Sequence, residues 1–174
     1  MTQLDGTGMK RLHREWRRRT QGRLALVLDT VANPFNLGSM IRTAAAERVD
    51  HLYLGAGIDP SHDKVNKTAL GTSRYLTWTI HDSGPAAVAA ARADGYHVVA
   101  IELTSEALAL HEVPMSGDIA IVVGHEDRGC TSATLAACDS VAFIPQLGKV
   151  GSLNVATAAA IAMYEVRRRE WAEG

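Results

Sequence analysis

Only two cysteines, Cys130 and Cys138, occur among 174 residues, and neither belongs to a Cys-x-x-Cys pair. That excludes a disulfide framework and a cysteine-based zinc site, and both are expected to be ordinary buried thiols. The seven histidines, His13, His51, His62, His81, His97, His111 and His125, are scattered singly, so a metal site would need unrelated loops to converge. No metal is expected. No run approaches the roughly 18 uncharged apolar residues of a membrane span, and the arginine-rich N-terminus has no apolar signal core behind it. A soluble, cytoplasmic protein is expected. Also missing are a Gly-x-x-x-x-Gly-Lys-Ser/Thr phosphate loop, a Gly-x-Gly-x-x-Gly turn after the first strand and a Gly-x-Ser-x-Gly elbow. Gly55-Ala56-Gly57 lacks a third glycine and a following helix, and reads as a turn.

Net charge is scarce as well, at −1. A surface basic throughout is excluded, but the distribution is uneven. Lys10, Arg11, Arg14, Arg17, Arg18, Arg19 and Arg23 cluster near one end and Arg167, Arg168 and Arg169 near the other. Local basic patches on a neutral body suit a phosphate-backbone binder, because affinity follows the contacts made and not the total charge. The plain alternative is a solvated helix face or a disordered arm. Residues 1–23 are accordingly a basic arm or helix, and 24–174, within a chain 47% hydrophobic, form one compact domain.

Short apolar runs bounded by turn signals predict strands at Leu24–Asp29, His51–Leu54, His97–Leu103, Ile119–Val123 and Val141–Ile144. Helical spacing predicts helices over Ser39–Glu47, Ala86–Asp94, Ser132–Ala137 and Leu153–Arg169, with the stretch from Gly55 to Arg74 mostly loop around a short helix at Asn66–Gly71. This alternation argues for an α/β fold with a mostly parallel sheet flanked by helices on both faces. Ligands of such sheets sit in the loops after the carboxyl ends of strands.

Three of those loops carry unusual residues. Asn33 to Ala44 places Asn36 near a helix start and Arg42 about two turns in; the plain reading is an N-cap and a surface arginine. Gly124-His125-Glu126-Asp127-Arg128-Gly129 puts acids between two glycines directly after a buried strand, which suits close ligand approach but also an acidic turn. Ile144 to Ala158 holds Gly148 and Gly151, then Ser152 as the predicted cap of an alanine-rich helix, whose free N–H groups would face a ligand.

In this order, Asn-x-Gly-x-x-x-Arg-Thr-Ala, Gly-x-Glu-x-x-Gly and Ile-Pro-x-x-Gly-x-x-x-Ser-Leu-Asn-Val-Ala resemble the three signature motifs of the SpoU/TrmH family of RNA 2′-O-ribose methyltransferases, part of the SPOUT superfamily. The resemblance runs from about Leu24 to Glu165. It implies the SPOUT fold, with a C-terminal deep trefoil knot over about Gly124 to Leu153, an exception to the un-knotted rule. It implies S-adenosyl-L-methionine (SAM) as cofactor, bound in that knot by Leu103, Thr104, Gly124, Glu126, Ile144, Gln146, Ser152, Leu153 and Asn154. It also implies a homodimer with the site near the interface; Met163 and Tyr164 are candidate interface residues, or core.

By the same resemblance Arg42 is the first catalytic residue, with Asn36, Glu126, Ser152 and Asn154 orienting it, the loops, the substrate and the donor. An arginine ordinarily keeps its proton, so its expected role is to bind a substrate phosphate and stabilise developing charge on the ribose oxygen, not to act as a literal base. RNA contacts are expected from Arg11, Arg14, Arg17, Arg18, Lys64, Lys67, Arg74 and Arg128. Such contacts position RNA without selecting sequence. The lack of an appended RNA-binding domain favours tRNA over ribosomal RNA. Two other readings are a catalytically silent RNA-binding protein, which the joint presence of the motif residues opposes, and a small-molecule enzyme on an open α/β sheet, which would have no RNA affinity and no knot.

Overall fold

A computed structural model describes residues 2–57 and 59–173. Helix α1 (Gly6–Arg19) is capped by Asp5, whose carboxylate accepts from the Gly8 N–H, and none of its residues is buried. It is followed by strand β1 (Leu24–Leu28), helix α2 (Pro34–Ala46), strand β2 (His51–Leu54), helix α3 (Asp63–Ala69), a 3-10 turn (Thr72–Tyr75) and strand β3 (Trp78–Ile80). Helix α4 (Gly84–Ala93), strands β4 (His97–Ile101), β5 (Leu108–Ala109) and β6 (Ile119–Val123), helix α5 (Ser132–Ala137), strand β7 (Ser140–Phe143) and helix α6 (Val155–Glu173) complete the chain.

The seven strands form one sheet in the order β3-β2-β1-β6-β4-β7-β5, with every pairing parallel. Strands β1 and β6 lie at its centre and are buried at every position, which is why they read as continuous apolar runs. Alternation divides their side chains between two faces. Leu24, Leu26, Leu28, Ile119, Ile121 and Val123 pack on one side with Leu37, Met40 and Ile41 of α2 and Met163 of α6. The smaller Ala25, Val27, Ala120 and Val122 face Ala87, Val88 and Ala91 of alanine-rich α4 on the other. Each fully buried Leu or Ile contributes roughly 1.5–3 kcal/mol, so the larger side chains make the first face the stronger half of the core.

Several boundaries differ from the sequence expectation. Helix α2 begins at Pro34 and not Ser39, because the Asn33 side chain accepts from the Phe35 and Asn36 N–H groups and Pro34 needs no partner for its nitrogen in the first turn. The short helix starts at Asp63 and ends where Leu70 (φ 50°) and Gly71 (φ 73°) turn left-handed. The edge strands β3 and β5 had no strong apolar pattern to announce them. Helix α6 starts at Val155, capped not by Ser152 but by Asn154, whose Oδ1 accepts from the Ala156 and Thr157 N–H groups at 2.9 and 3.2 Å.

The C-terminal basic patch also divides. Arg167 is 2% exposed and donates to the carbonyls of Gly22, Glu47 and Arg48 as well as to Glu170. Arg169 donates to the carbonyls of Leu110 and Val113 and to Glu165. These two stitch α6 to the rest of the fold and offer no free charge to a ligand. Met163 is likewise fully buried in the core, which removes it from the candidate interface, whereas Tyr164 is exposed. No described helix is long and apolar enough to cross a membrane.

Candidate active site

The segments after β4, β6 and β7 converge on one cavity of about 310 Å³, at the low end of the size that holds a small-molecule ligand. Ile101, Glu102 and Leu103 form one wall, the turn from Gly124 to Gly129 the second, and Phe143, Ile144 and Gln146 with Gly151, Ser152, Leu153, Val155 and Ala158 the third. Of the residues predicted to hold a cofactor, Leu103, Gly124, Glu126, Ile144, Gln146, Ser152 and Leu153 line it. Thr104 and Asn154 do not. Arg128, read as an RNA contact, lines the cavity too.

The middle wall is built around two glycines. A Cβ on Gly124 would lie 2.1 Å from the Gly129 carbonyl carbon and 2.2 Å from the Cys130 nitrogen. Gly129 itself has φ +68° and would push a Cβ to 2.2 Å from Glu102 Oε2. The Gly124 contacts are with backbone that cannot yield, and Gly129 stands in the left-handed region that strains any other residue, so the wall favours glycine at each place. His125 and Gly129 exchange both backbone hydrogen bonds and close the turn.

Glu126 reaches out of that turn to the start of α2. Its carboxylate accepts from the Asn33 N–H at 2.9 Å, the Ala32 N–H at 3.2 Å and Asn36 Nδ2 at 3.2 Å. Burial pushes its carboxyl upward, but hydrogen bonds from the backbone, its own N–H first and then that of Asn33, and from the Asn36 side chain outweigh this and hold it below the usual value. Asn36 Oδ1 in turn accepts from Asn154 Nδ2 at 2.9 Å. The result is a continuous chain, Glu126 to Asn36 to Asn154, that links the β6 turn, the start of α2 and the cap of α6. Three residues singled out in three separate motifs meet here, across sequence separations of 90 and 118.

Arg42 and Ser152 are not part of that chain. Arg42 is exposed on α2 and makes no side-chain hydrogen bond or ion pair among the described residues. It follows Phe35 by two turns on the same helix face, whereas Asn36 is turned toward Glu126. Ser152 is exposed at the cavity wall. The predicted RNA contacts are spread more widely: Arg11, Arg14, Arg17 and Arg18 are exposed along α1, Lys64 and Lys67 along α3, and Arg74 lies 4.8 Å over the Tyr75 ring.

Glu102 was missed by the sequence reading, which runs the strand on to Leu103, whereas the strand ends at Ile101 and Glu102 follows it. Its Oε2 accepts from the Cys130 N–H at 2.8 Å and its Oε1 from the Leu103 N–H at 3.1 Å. The thiols are passive: burial, with Glu102 and Asp29 nearby, pushes Cys130 far up, and burial with Asp139 nearby pushes Cys138 to about 12. No group of three or more His, Cys, Asp or Glu side chains able to hold a metal occurs among the described residues.

Comparison with known proteins gives this geometry its relatives. The sequence profile described as "SpoU rRNA Methylase family" matches residues 23–164. The chain is 36% identical to the 23S rRNA (guanosine(2553)-2′-O)-methyltransferase of Bacillus subtilis over 83% of its own length and 58% of that protein's. It is 31% identical to the tRNA (guanosine(18)-2′-O)-methyltransferase of Thermus thermophilus over 90% of its length and 80% of the relative's. The crystal structure of an AdoMet-bound rRNA methyltransferase from Sinorhizobium meliloti superposes with a TM-score of 0.76 at 27% identity, covering 87% of this chain and 58% of that one. Several of the curated relatives are longer, and the chain spans about 55–60% of their length.

Proposed function

The chain belongs to the SpoU rRNA methylase family, and from that premise we propose that it transfers the methyl group of SAM to a ribose 2′-hydroxyl of RNA. The observation that carries the reading is the cavity at the carboxyl ends of β4, β6 and β7, bound to the start of α2 by the Glu126–Asn36–Asn154 chain. The cavity fits the donor in kind. Its glycine-lined wall admits close main-chain approach, its apolar residues suit an adenine ring, and Glu126 and Asp127 suit a cationic sulfonium.

Leu103, Gly124, Glu126, Ile144, Gln146, Ser152 and Leu153 hold the donor in this proposal. When bound, the donor supplies an electrophilic methyl group. Arg42 binds a phosphate of the substrate and stabilises the charge that develops on the ribose oxygen as its proton departs. Asn36, locked between Glu126 and Asn154, orients the start of the helix that carries Arg42, and Ser152 positions the substrate nucleotide. Proximity and alignment then do most of the work, and no metal is needed.

We assign residues 24–174 to the methyltransferase domain and α1 to a basic arm that grips RNA through Arg11, Arg14, Arg17 and Arg18, with Lys64, Lys67, Arg74 and Arg128 as further phosphate contacts. The knotted arrangement is supported by strand order: β7 lies between β4 and β5, which residues 102–107 join, so the chain beyond Phe143 runs beside that bridge. A homodimer is supported by the exposed apolar Ile161 and Tyr164 on α6. Its workplace is the cytoplasm. tRNA is the substrate we favour, with the Thermus tRNA enzyme, 31% identical over 90% of this chain, as its support.

The test is incubation with methyl-labelled SAM and either bulk tRNA or ribosomal RNA. The proposal expects label in tRNA and its loss, by about a hundredfold or more, in Arg42→Ala. Label in ribosomal RNA alone would move the substrate. No label in either, with SAM bound and the protein folded, would leave only an RNA-binding role.

A further inference from the structure

Two carboxylates that the catalytic reading does not use converge on consecutive backbone amides. Glu102, just after β4, accepts from the Cys130 N–H at 2.8 Å; Asp29, just after β1, accepts from the Thr131 N–H at 2.8 Å through Oδ2. Strands β1 and β4 flank β6 on either side, so the two acids grip the far end of the β6 turn from both neighbours. Glu126 ties the near end. Hydrogen bonds from amides to ionised carboxylates are charge-assisted and about twice as strong as neutral ones.

The surroundings are shaped for this grip. Asp29 is 1% exposed, and a Cβ on Gly84 of α4 would lie 2.1 Å from its Oδ1, as a Cβ on Gly129 would lie 2.2 Å from Glu102 Oε2. Glycine therefore stands against each carboxylate where any other residue would displace it. Asp29 Oδ1 has no hydrogen-bond partner among the described residues, a cost the fold retains at a buried carboxyl group. Thr131, held by Asp29, is also the cap of α5, accepting from the Thr134 N–H.

We propose that Asp29 and Glu102 form a clasp on the Cys130 and Thr131 amides that fixes the middle wall of the donor cavity, making Glu102 a positioning residue for SAM. The inference rests on the methyltransferase reading for its ligand and on the hydrogen bonds alone for the clasp. Gln at 102 offers one acceptor oxygen and turns a donor group toward the other amide. Asp at 102 keeps the charge but falls about 1.5 Å short, one side-chain bond length. Both variants lose the grip, and comparing them separates it from simple attraction between a carboxylate and a cationic ligand.

The experiment measures, for wild type, Glu102→Gln, Glu102→Asp and Asp29→Ala, amide exchange at Cys130 and Thr131 without ligand, then SAM affinity and steady-state kinetics. Exchange at these two amides is expected to quicken at least tenfold while central β1 and β6 stay protected. SAM affinity is expected to fall about tenfold in both Glu102 variants, with KM for SAM rising more than kcat falls and KM for RNA unmoved. Unchanged exchange in the ligand-free variants overturns the clasp. Faster exchange with wild-type SAM affinity overturns its positioning role, as does full affinity in Glu102→Asp. Absence of SAM binding in the wild-type protein overturns the methyltransferase reading instead, and the exchange data still decide the clasp.

Discussion

A guanidinium in the interior must find acceptors for its donors, and Arg167 does so with three main-chain carbonyls and Glu170. Replacing it with Met would leave those part-buried carbonyls without their donors, and chemical denaturation of Arg167→Met is expected to show a loss of about 3 kcal/mol. Arg168, half exposed and, among the described residues, paired only with Glu165, should cost under about 1 kcal/mol when changed the same way. Equal losses at the two positions would contradict the assignment. Nothing in the run Arg167-Arg168-Arg169 distinguishes its members, because burial of a side chain on a terminal helix depends on what packs beside it. The reverse holds for Asn36, Glu126 and Asn154. Their motif spacing marked them out, and the structure brings them within hydrogen-bond reach of one another.

At the scale of elements, the central strands were legible because burial on both faces leaves an uninterrupted apolar run, while β3 and β5, short and at the edges, carry no such record. Helix α6 begins at Val155 and not at Leu153 because its cap is not the predicted one. Ser152 is the predicted cap of α6, but it is the oxygen of Asn154 that meets the free N–H groups of Ala156 and Thr157. Asn154→Ala is therefore expected to lower stability by about 1 kcal/mol in thermal unfolding, and Ser152→Ala by a few tenths at most. The opposite order would restore Ser152 as the cap. The cavity follows the same logic as the caps: its loops could be named from strand ends, but Glu102 became visible only when Cys130 was folded against it.

For the whole molecule, the sheet order and the two-sided core place all three motif loops at one end, beside a helix whose outer face remains apolar. Ile161 and Tyr164 on that face are 39% and 52% exposed. If they meet a second copy, Tyr164→Asp will shift the protein from dimer to monomer in sedimentation while leaving the fold of each chain intact; a monomeric wild type, or a dimer indifferent to the change, would exclude this face. The central claim concerns the atom that receives the methyl group. It is tested most directly by hydrolysing labelled RNA product in alkali, which cleaves next to a free 2′-hydroxyl and spares a methylated one. The account predicts that the label survives in an alkali-resistant dinucleotide; label released in mononucleotides would mean that a base, and not the ribose, had been methylated.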